Sequence, residues 1–233
     1  MNARALAIIP ARGGSVRVPR KNIRSFCGRP ILEFPVRAAL ESECFEEVMV
    51  STDDCEIADV ARTAGATVPF LRSPETSTSS ADLFDAVREV LHCYRKQERT
   101  FDFVCCIFPT AALIGPERYR EARDRISRNP EAGIIFSILR FDSPVQRALR
   151  LQGDRVEMIW PENYDARSQD LEPAFHDAGQ FYFFTPEWLE SGRPAFSGTL
   201  AVVLEWHEAQ DIDNERDWRI AEQKFQIQQN LAR

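Results

Sequence analysis

Apolar positions fall in short compact runs separated by amphipathic stretches. The runs Ala5 to Pro10, Glu47 to Thr52 and Phe103 to Phe108 predict strands, and the last is apolar enough to be buried on both faces of a sheet. Helical spacing follows them. It predicts helices over Ile31 to Leu40 after Pro30, Cys55 to Ala64 after Asp53 and Asp54 as capping residues and before Gly65, Ala81 to Lys96, and Pro116 to Ser127. Thr67 to Phe70 reads as a further strand, and Pro35 is a misfit inside the first helix unless that helix starts late. The expected fold is α/β, a mainly parallel sheet flanked by helices.

From about Phe136 the strand and helix alternation breaks. Two alternating segments flank Gln152, Gly153 and Asp154, as in a hairpin, so a β excursion is expected over roughly 137–180. Gly179 to Thr185 and Leu200 to Leu204 then predict strands. A last helix over Asn214 to Phe225 carries Trp218, Ala221, Glu222 and Phe225 at helical spacing. The whole chain, 1–233, is read as one domain with this excursion.

Composition narrows the class. With 29 Lys and Arg against 36 Asp and Glu, the formal charge of −7 disfavours a broad nucleic-acid-binding face. The start carries no leader-like pattern, and no run of 18 apolar residues occurs, so a cytoplasmic protein without a membrane partner is expected. The six cysteines show no metal-ligand spacing and read as reduced structural thiols.

Against that acidic average, the loop Ala-Arg-Gly-Gly-Ser-Val-Arg-Val-Pro-Arg-Lys-Asn after the first strand concentrates Arg12, Arg17, Arg20 and Lys21 beside Gly13 and Gly14. A strand ending in a glycine-containing turn aims backbone N–H groups into one concavity, which suits phosphate oxygens. The loop lacks the Gly-Lys-Ser/Thr ending of a P-loop and the spaced glycines of the dinucleotide fingerprint. Near the other end, Asp211 and Asp213 are two apart, so on an extended segment their carboxylates share a side. That arrangement suits a hard divalent cation, and the competing reading makes Asp213 the cap of the last helix.

The segment Ile8 to Asn22 resembles the signature loop of the cytidylyltransferases that activate sialic-acid-like sugars. "VMVSTDDCEIADVARTAGATVPFLR", "VCCIFPTA", "RSQDLEPAFHDAGQFYF" and "QDIDNERDW" resemble the same family in the same order. The resemblance implies a nucleotide-diphosphosugar transferase type of fold, CTP and an anionic nine-carbon sugar as substrates, Mg²⁺ or Mn²⁺ as cofactor, and a homodimer built through the excursion. Transfer of CMP to the sugar's anomeric hydroxyl releases pyrophosphate. The segment around Ala178 to Tyr182 is most like the branch acting on pseudaminic acid, where the N-acetylneuraminate and legionaminate branches tend to carry Asn-Gly-Ala-(Ile/Val)-Tyr. A non-catalytic nucleotide-binding dimer is the alternative from another class, motivated by Val16 where many relatives carry Lys.

Residue by residue, the resemblance implies that Ala11, Arg12, Gly13, Gly14, Ser15, Lys21, Asn22, Arg72 and Ser80 bind the nucleotide. Arg12, Arg17, Lys21 and Asp211 would serve catalysis, and Asp211 with Asp213 would hold the metal. Phe108, Arg167, Gln169, His176, Gln180, Phe181 and Tyr182 would line the sugar site, with Asp170 beside them. Arg167 would reach the neighbouring subunit's site, and core packing is the competing reading of Phe181.

Overall fold

The computed structural model describes residues 3–15, 18–78 and 82–231. The chain runs β1 (Ala5–Pro10), a 3-10 turn (Lys21–Ile23), β2 (Ser25–Phe26), β3 (Arg29–Pro30), α1 (Glu33–Glu41), β4 (Glu47–Ser51), α2 (Cys55–Ala64) and α3 (Leu83–Lys96). It continues through β5 (Phe103–Ile107), α4 (Pro116–Arg128), β6 (Ile134–Arg140), β7 (Leu149–Gln152), β8 (Arg155–Met158), β9 (Phe175–Phe184), α5 (Pro186–Ser191), β10 (Leu200–Leu204) and α6 (Glu215–Leu231). Six strands form the central sheet in the order β10-β6-β9-β5-β1-β4. Its pairs are parallel except for β9, which runs antiparallel to β5 and β6.

Alternation along the buried strands sends side chains into two cores. Ala7 and Ile9 of β1, Cys105 of β5 and Phe181 and Phe183 of β9 pack with Val36, Ile57, Tyr119 and Ile126 from α1, α2 and α4. On the other face, Leu6, Ile8, Cys106 and Phe184 meet Val87, Val90 and Tyr94 of α3 and Trp188 of α5. Two-sided burial is the reason the central runs are continuously apolar. Burial also pushes the Cys105 and Cys106 thiols up, as expected of structural thiols, and all six cysteines are unbridged.

Three local expectations shift. Pro30 belongs to the small β2-β3 hairpin, whose turn puts Cys27 and Gly28 at positive φ, and α1 starts only at Glu33. Pro35 therefore sits in the first helical turn, where its missing N–H has no intrahelical acceptor to lose. Thr67 makes one parallel bridge to Met49, but no strand continues because Pro69 removes the next donor. The excursion is also shorter than expected: Ser137 and Gln180 belong to the main sheet, whose pairing extends to Arg140 with Phe175. The hairpin of β7 and β8 turns at Gly153, which has a φ of 60°.

Asp54 caps α2 by accepting from the backbone N–H groups of Glu56 and Ile57 at 2.9 and 3.1 Å, and Gly65 ends the helix at a φ of 103°. Near the opposite end of the sheet, Glu46 accepts from Arg4 at 2.6 Å and Arg99 at 3.2 Å. Its carboxyl is held down to about 2, first by the Arg4 hydrogen bond and then by Arg99. A carboxyl lowered on folding contributes stability above its unfolded value of 4.5 and loses that contribution as pH falls through about 2. Glu46→Gln is therefore expected to flatten the decline of melting temperature between pH 4.5 and 2, read from thermal unfolding across a pH series.

Candidate active site

β1 delivers the basic loop to the carboxyl end of the parallel strands, the usual place for a ligand on such sheets. Its first residues are tightly held. The Ala11 N–H donates to the Ser51 carbonyl at 2.9 Å and the Ala11 side chain is fully buried, so Ala11 anchors the loop and offers no side chain to a nucleotide. Gly13 donates its N–H to Asp53 Oδ1 at 2.8 Å. A Cβ on Gly13 would stand 2.7 Å from Asp54 Oδ2, which is why this position is glycine, whereas a Cβ on Gly14 would meet nothing within 4 Å. Ser15 closes the turn with Oγ on the Val18 carbonyl at 2.7 Å.

The cations divide by role. Arg12 Nη1 donates to the Thr78 carbonyl at 2.9 Å, joining this loop to the Ser- and Thr-rich loop between α2 and α3. Arg72 is buried, with Nε on Ser51 Oγ at 3.1 Å and Nη2 on the Ser51 carbonyl at 2.8 Å. Burial pushes its guanidinium down while Asp53 and Glu89 offset that loss, so Arg72 is a buried cation rather than a surface one. Arg20, expected to face phosphate, instead bridges Asp54 and Glu56 at the start of α2. Its hydrogen bond holds the Asp54 carboxyl low. Arg17 and Ser80, and with them Val16, lie outside the described residues.

Asn22 lies beneath the loop as a strut: it is buried, and its Nδ2 donates to the Arg12 carbonyl at 2.9 Å. An open cytidine contact is therefore not where its amide nitrogen points. Lys21 turns the other way and donates to the Ile212 carbonyl at 2.8 Å. That bond joins residues 191 apart in sequence and brings the loop against the two aspartates.

Ile212 is buried with Val18, Phe26, Ile31, Phe34 and Trp218, whereas Asp211 is exposed and Asp213 half-buried. One anchored apolar residue thus holds its acidic neighbours on the other side of an extended segment. Asp213 is not the cap of α6. Asn214 Oδ1 accepts from the N–H groups of Arg216 and Asp217, and Asp217 Oδ2 accepts from those of Asp213 and Asn214. Among the described residues no three His, Cys, Asp or Glu side chains are grouped to hold a metal. Two carboxylates fit an ion that completes its shell with phosphate oxygens and water, as Mg²⁺ does beside a nucleotide.

Beyond Asp211 opens a cleft of about 380 Å³ lined by Arg140, His176, Asp177, Trp206, Asp211 and Lys224, among others. Its wall comes from an irregularity in β9. The pairing register of β6 with β9 shifts between Phe136 and Ile138, and Gly179 takes a φ of 60° opposite that shift. Asp177 caps the bend by accepting from the Gly179 N–H at 2.8 Å, and it accepts from the Tyr182 hydroxyl as well. Burial pushes that hydroxyl up, and the charges of Asp177 and Asp211 add to the shift. His176 holds Nδ1 2.8 Å from the Asp177 carbonyl and packs its ring 4.8 Å from that of Phe141. Phe108 is half-buried, with its ring centroid 5.9 Å from that of Tyr182. Burial pushes the Lys224 ammonium down.

Of the expected sugar contacts, His176 lines this cleft, and Phe108, Tyr182 and the others do not. Phe181 is fully buried with its ring 5.3 Å from Tyr119, because β9 alternation sends it into the core on the α4 side. Gln180 is buried too, its Nε2 on the carbonyls of Ala178 and Gly179. Arg167 is exposed on the excursion and paired with Asp170 at 2.7 Å, next to exposed Gln169. Sequence reasoning missed Asp177 and Lys224. An Asp two before a glycine signals a local turn, which marks Asp177, but nothing local marks Lys224.

A mainly parallel sheet that gathers a basic glycine loop and paired aspartates at its carboxyl end defines an α/β nucleotidyltransferase. A cytidylyltransferase family model matches residues 6–182, and the chain belongs to that family. It is 37% identical to the pseudaminic acid cytidylyltransferase of Campylobacter jejuni subsp. jejuni serotype O:23/36 (strain 81-176), over 97% of this chain and 98% of that protein. It is 33% identical to the CMP-N,N'-diacetyllegionaminic acid synthase of Legionella pneumophila subsp. pneumophila (strain Philadelphia 1), over 97% and 98%. Among solved structures, a CMP:2-keto-3-deoxy-manno-octonic acid synthetase complexed with CTP matches with a TM-score of 0.69 over 98% of this chain and 100% of that one; at 16% identity this likeness is of fold.

The two glycines of the loop are expected to respond differently. Gly13→Ala must displace Asp54 and is expected to weaken CTP binding about tenfold or more, whereas Gly14→Ala leaves the backbone where it is and costs less. Titration calorimetry with CTP on both variants checks this order.

Proposed function

We propose that this protein transfers CMP from CTP to the anomeric hydroxyl of pseudaminic acid, giving CMP-pseudaminic acid and pyrophosphate. The observation that carries the reading is the Lys21 to Ile212 hydrogen bond, which sets a phosphate-type loop against two aspartates beside a cleft large enough for a sugar. The full-length likeness to the Campylobacter enzyme supports the choice of sugar.

The difficulty of the reaction is electrostatic: an anionic sugar must approach a triphosphate of about four negative charges in line with the leaving pyrophosphate. Arg12 and Lys21 supply fixed positive charge to the triphosphate, and Asp53 orients the loop through the Gly13 N–H. Asp211 and Asp213 would hold Mg²⁺ or Mn²⁺, which when bound neutralises phosphate charge and lowers the pKa of a coordinated hydroxyl. Asp177 and Tyr182 hold the cleft wall, and Arg140 and Lys224 put positive charge on the sugar side.

The excursion exposes Leu149, Leu151, Val156 and Tyr164, an apolar surface suited to a second copy, so the working form is a homodimer. Among the described residues no helix is long and apolar enough to cross a membrane, which suits a cytoplasmic enzyme of surface-glycan sugar activation.

Pyrophosphate release from CTP and Mg²⁺, with pseudaminic, legionaminic and N-acetylneuraminic acids offered separately, tests the reading. Release is expected with pseudaminic acid, and Asp211→Ala is expected to lower it about a hundredfold or more. Preference for another sugar overturns the choice of substrate. CTP binding without release with any of the three favours a non-catalytic dimer.

A further inference from the structure

The segment carrying the aspartates lies along one stripe of α6. Asp217, Ala221, Lys224 and Gln228 recur at spacings of four, three and four, so they share a helix face. From that face Asp217 accepts the Asp213 N–H at 2.9 Å, Lys224 Nζ donates to the Ala209 carbonyl at 2.7 Å, and Gln228 Nε2 donates to the His207 carbonyl at 3.1 Å. Ala221 between them is buried, which brings the helix close. On the far side of Asp211, Lys21 holds the Ile212 carbonyl. Two ammonium groups from opposite ends of the chain therefore grip the backbone on either side of Asp211.

We propose that Lys224 is a positioning residue for the Asp211 and Asp213 carboxylates, acting through the Ala209 carbonyl. The inference rests on the reading that these two aspartates meet a nucleotide-bound divalent ion. A charge-assisted hydrogen bond to a carbonyl two residues before Asp211 fixes where that extended segment runs. Lys224 Nζ also stands 6.0 Å from the centre of the Trp206 ring, at the outer range of a cation–π contact. Outer partners that orient ligands in this way set metal affinity without touching the ion, and their loss costs about ten to a hundredfold.

The test is Mn²⁺ binding to the CTP-loaded full-length protein, read by electron paramagnetic resonance, with amide hydrogen exchange at 210–213 in the protein alone. Lys224→Met keeps the stem and removes the donor. It is expected to weaken Mn²⁺ binding about tenfold or more, to speed exchange at 210–213, and to leave CTP affinity in EDTA unchanged. Lys224→Arg, which keeps a donor, is expected to recover most of the affinity. Gln228→Met, which releases the more distant His207 carbonyl and that of Leu113, is expected to do less, and it supplies the comparison if Lys224→Met is too unstable to load. Unchanged Mn²⁺ affinity and exchange in Lys224→Met, with affinity lost in Asp211→Ala, overturns the positioning role. Mn²⁺ affinity undiminished in Asp211→Ala overturns the metal reading and the proposal with it, a failure distinguishable because faster exchange in Lys224→Met would still report the backbone grip.

Discussion

The hydrogen bond from Lys21 to the Ile212 carbonyl is the constraint on which the site depends. It ties the loop after the first strand to the segment before the last helix, and neither has a chemical purpose alone. The loop gathers positive charge without a catalyst. The aspartates offer ligands without a substrate. Joined at 2.8 Å, they bring the basic loop and the paired carboxylates to one place, where the proposed triphosphate and divalent ion would neutralise each other.

The rest of the fold serves that junction. Two-sided burial makes the sheet rigid, and its parallel strands end where the loop begins. Asp53 and Asp54 sit at the end of β4 and work as a pair, one holding Gly13 and the other capping α2 while it engages Arg20. A departure from regular pairing, the bend at Gly179, accompanies the placement of Asp177 in the cleft wall that Asp211 also lines, with the Tyr182 hydroxyl bonded to Asp177. Irregular pairing next to a site is a recurring way to re-aim side chains.

Much of this architecture is legible in sequence. Continuous apolar runs mark β1, β4 and β5, and the helix bounds of α2 follow from Asp54 and Gly65. The short edges are less legible because Pro30, Pro35 and Pro69 act through single missing N–H groups whose effect depends on the neighbouring strand or turn. The site divides in the same manner. The basic loop and the Asp-x-Asp spacing are local patterns, so both are visible. The division of labour among the cations is tertiary: nothing near Arg20 in sequence says that it meets Asp54 and Glu56, or near Arg72 that it is buried on Ser51. Phe181 and Tyr182 differ only in parity along β9, and a one-residue offset sends the first into the core with Tyr119 of α4 and the second to the opposite face of the sheet, with its hydroxyl on Asp177.

The central claim is that one nucleotide-bound ion unites the two ends of the chain. The most direct measurement is a crystal structure with CTP and Mn²⁺, located by anomalous scattering. The account predicts a manganese peak in coordination range of Asp211 or Asp213 and of the triphosphate, with Arg12 and Lys21 beside the phosphates. A peak at Asp53 and Asp54 instead, or a triphosphate bound away from 211–213, would contradict it.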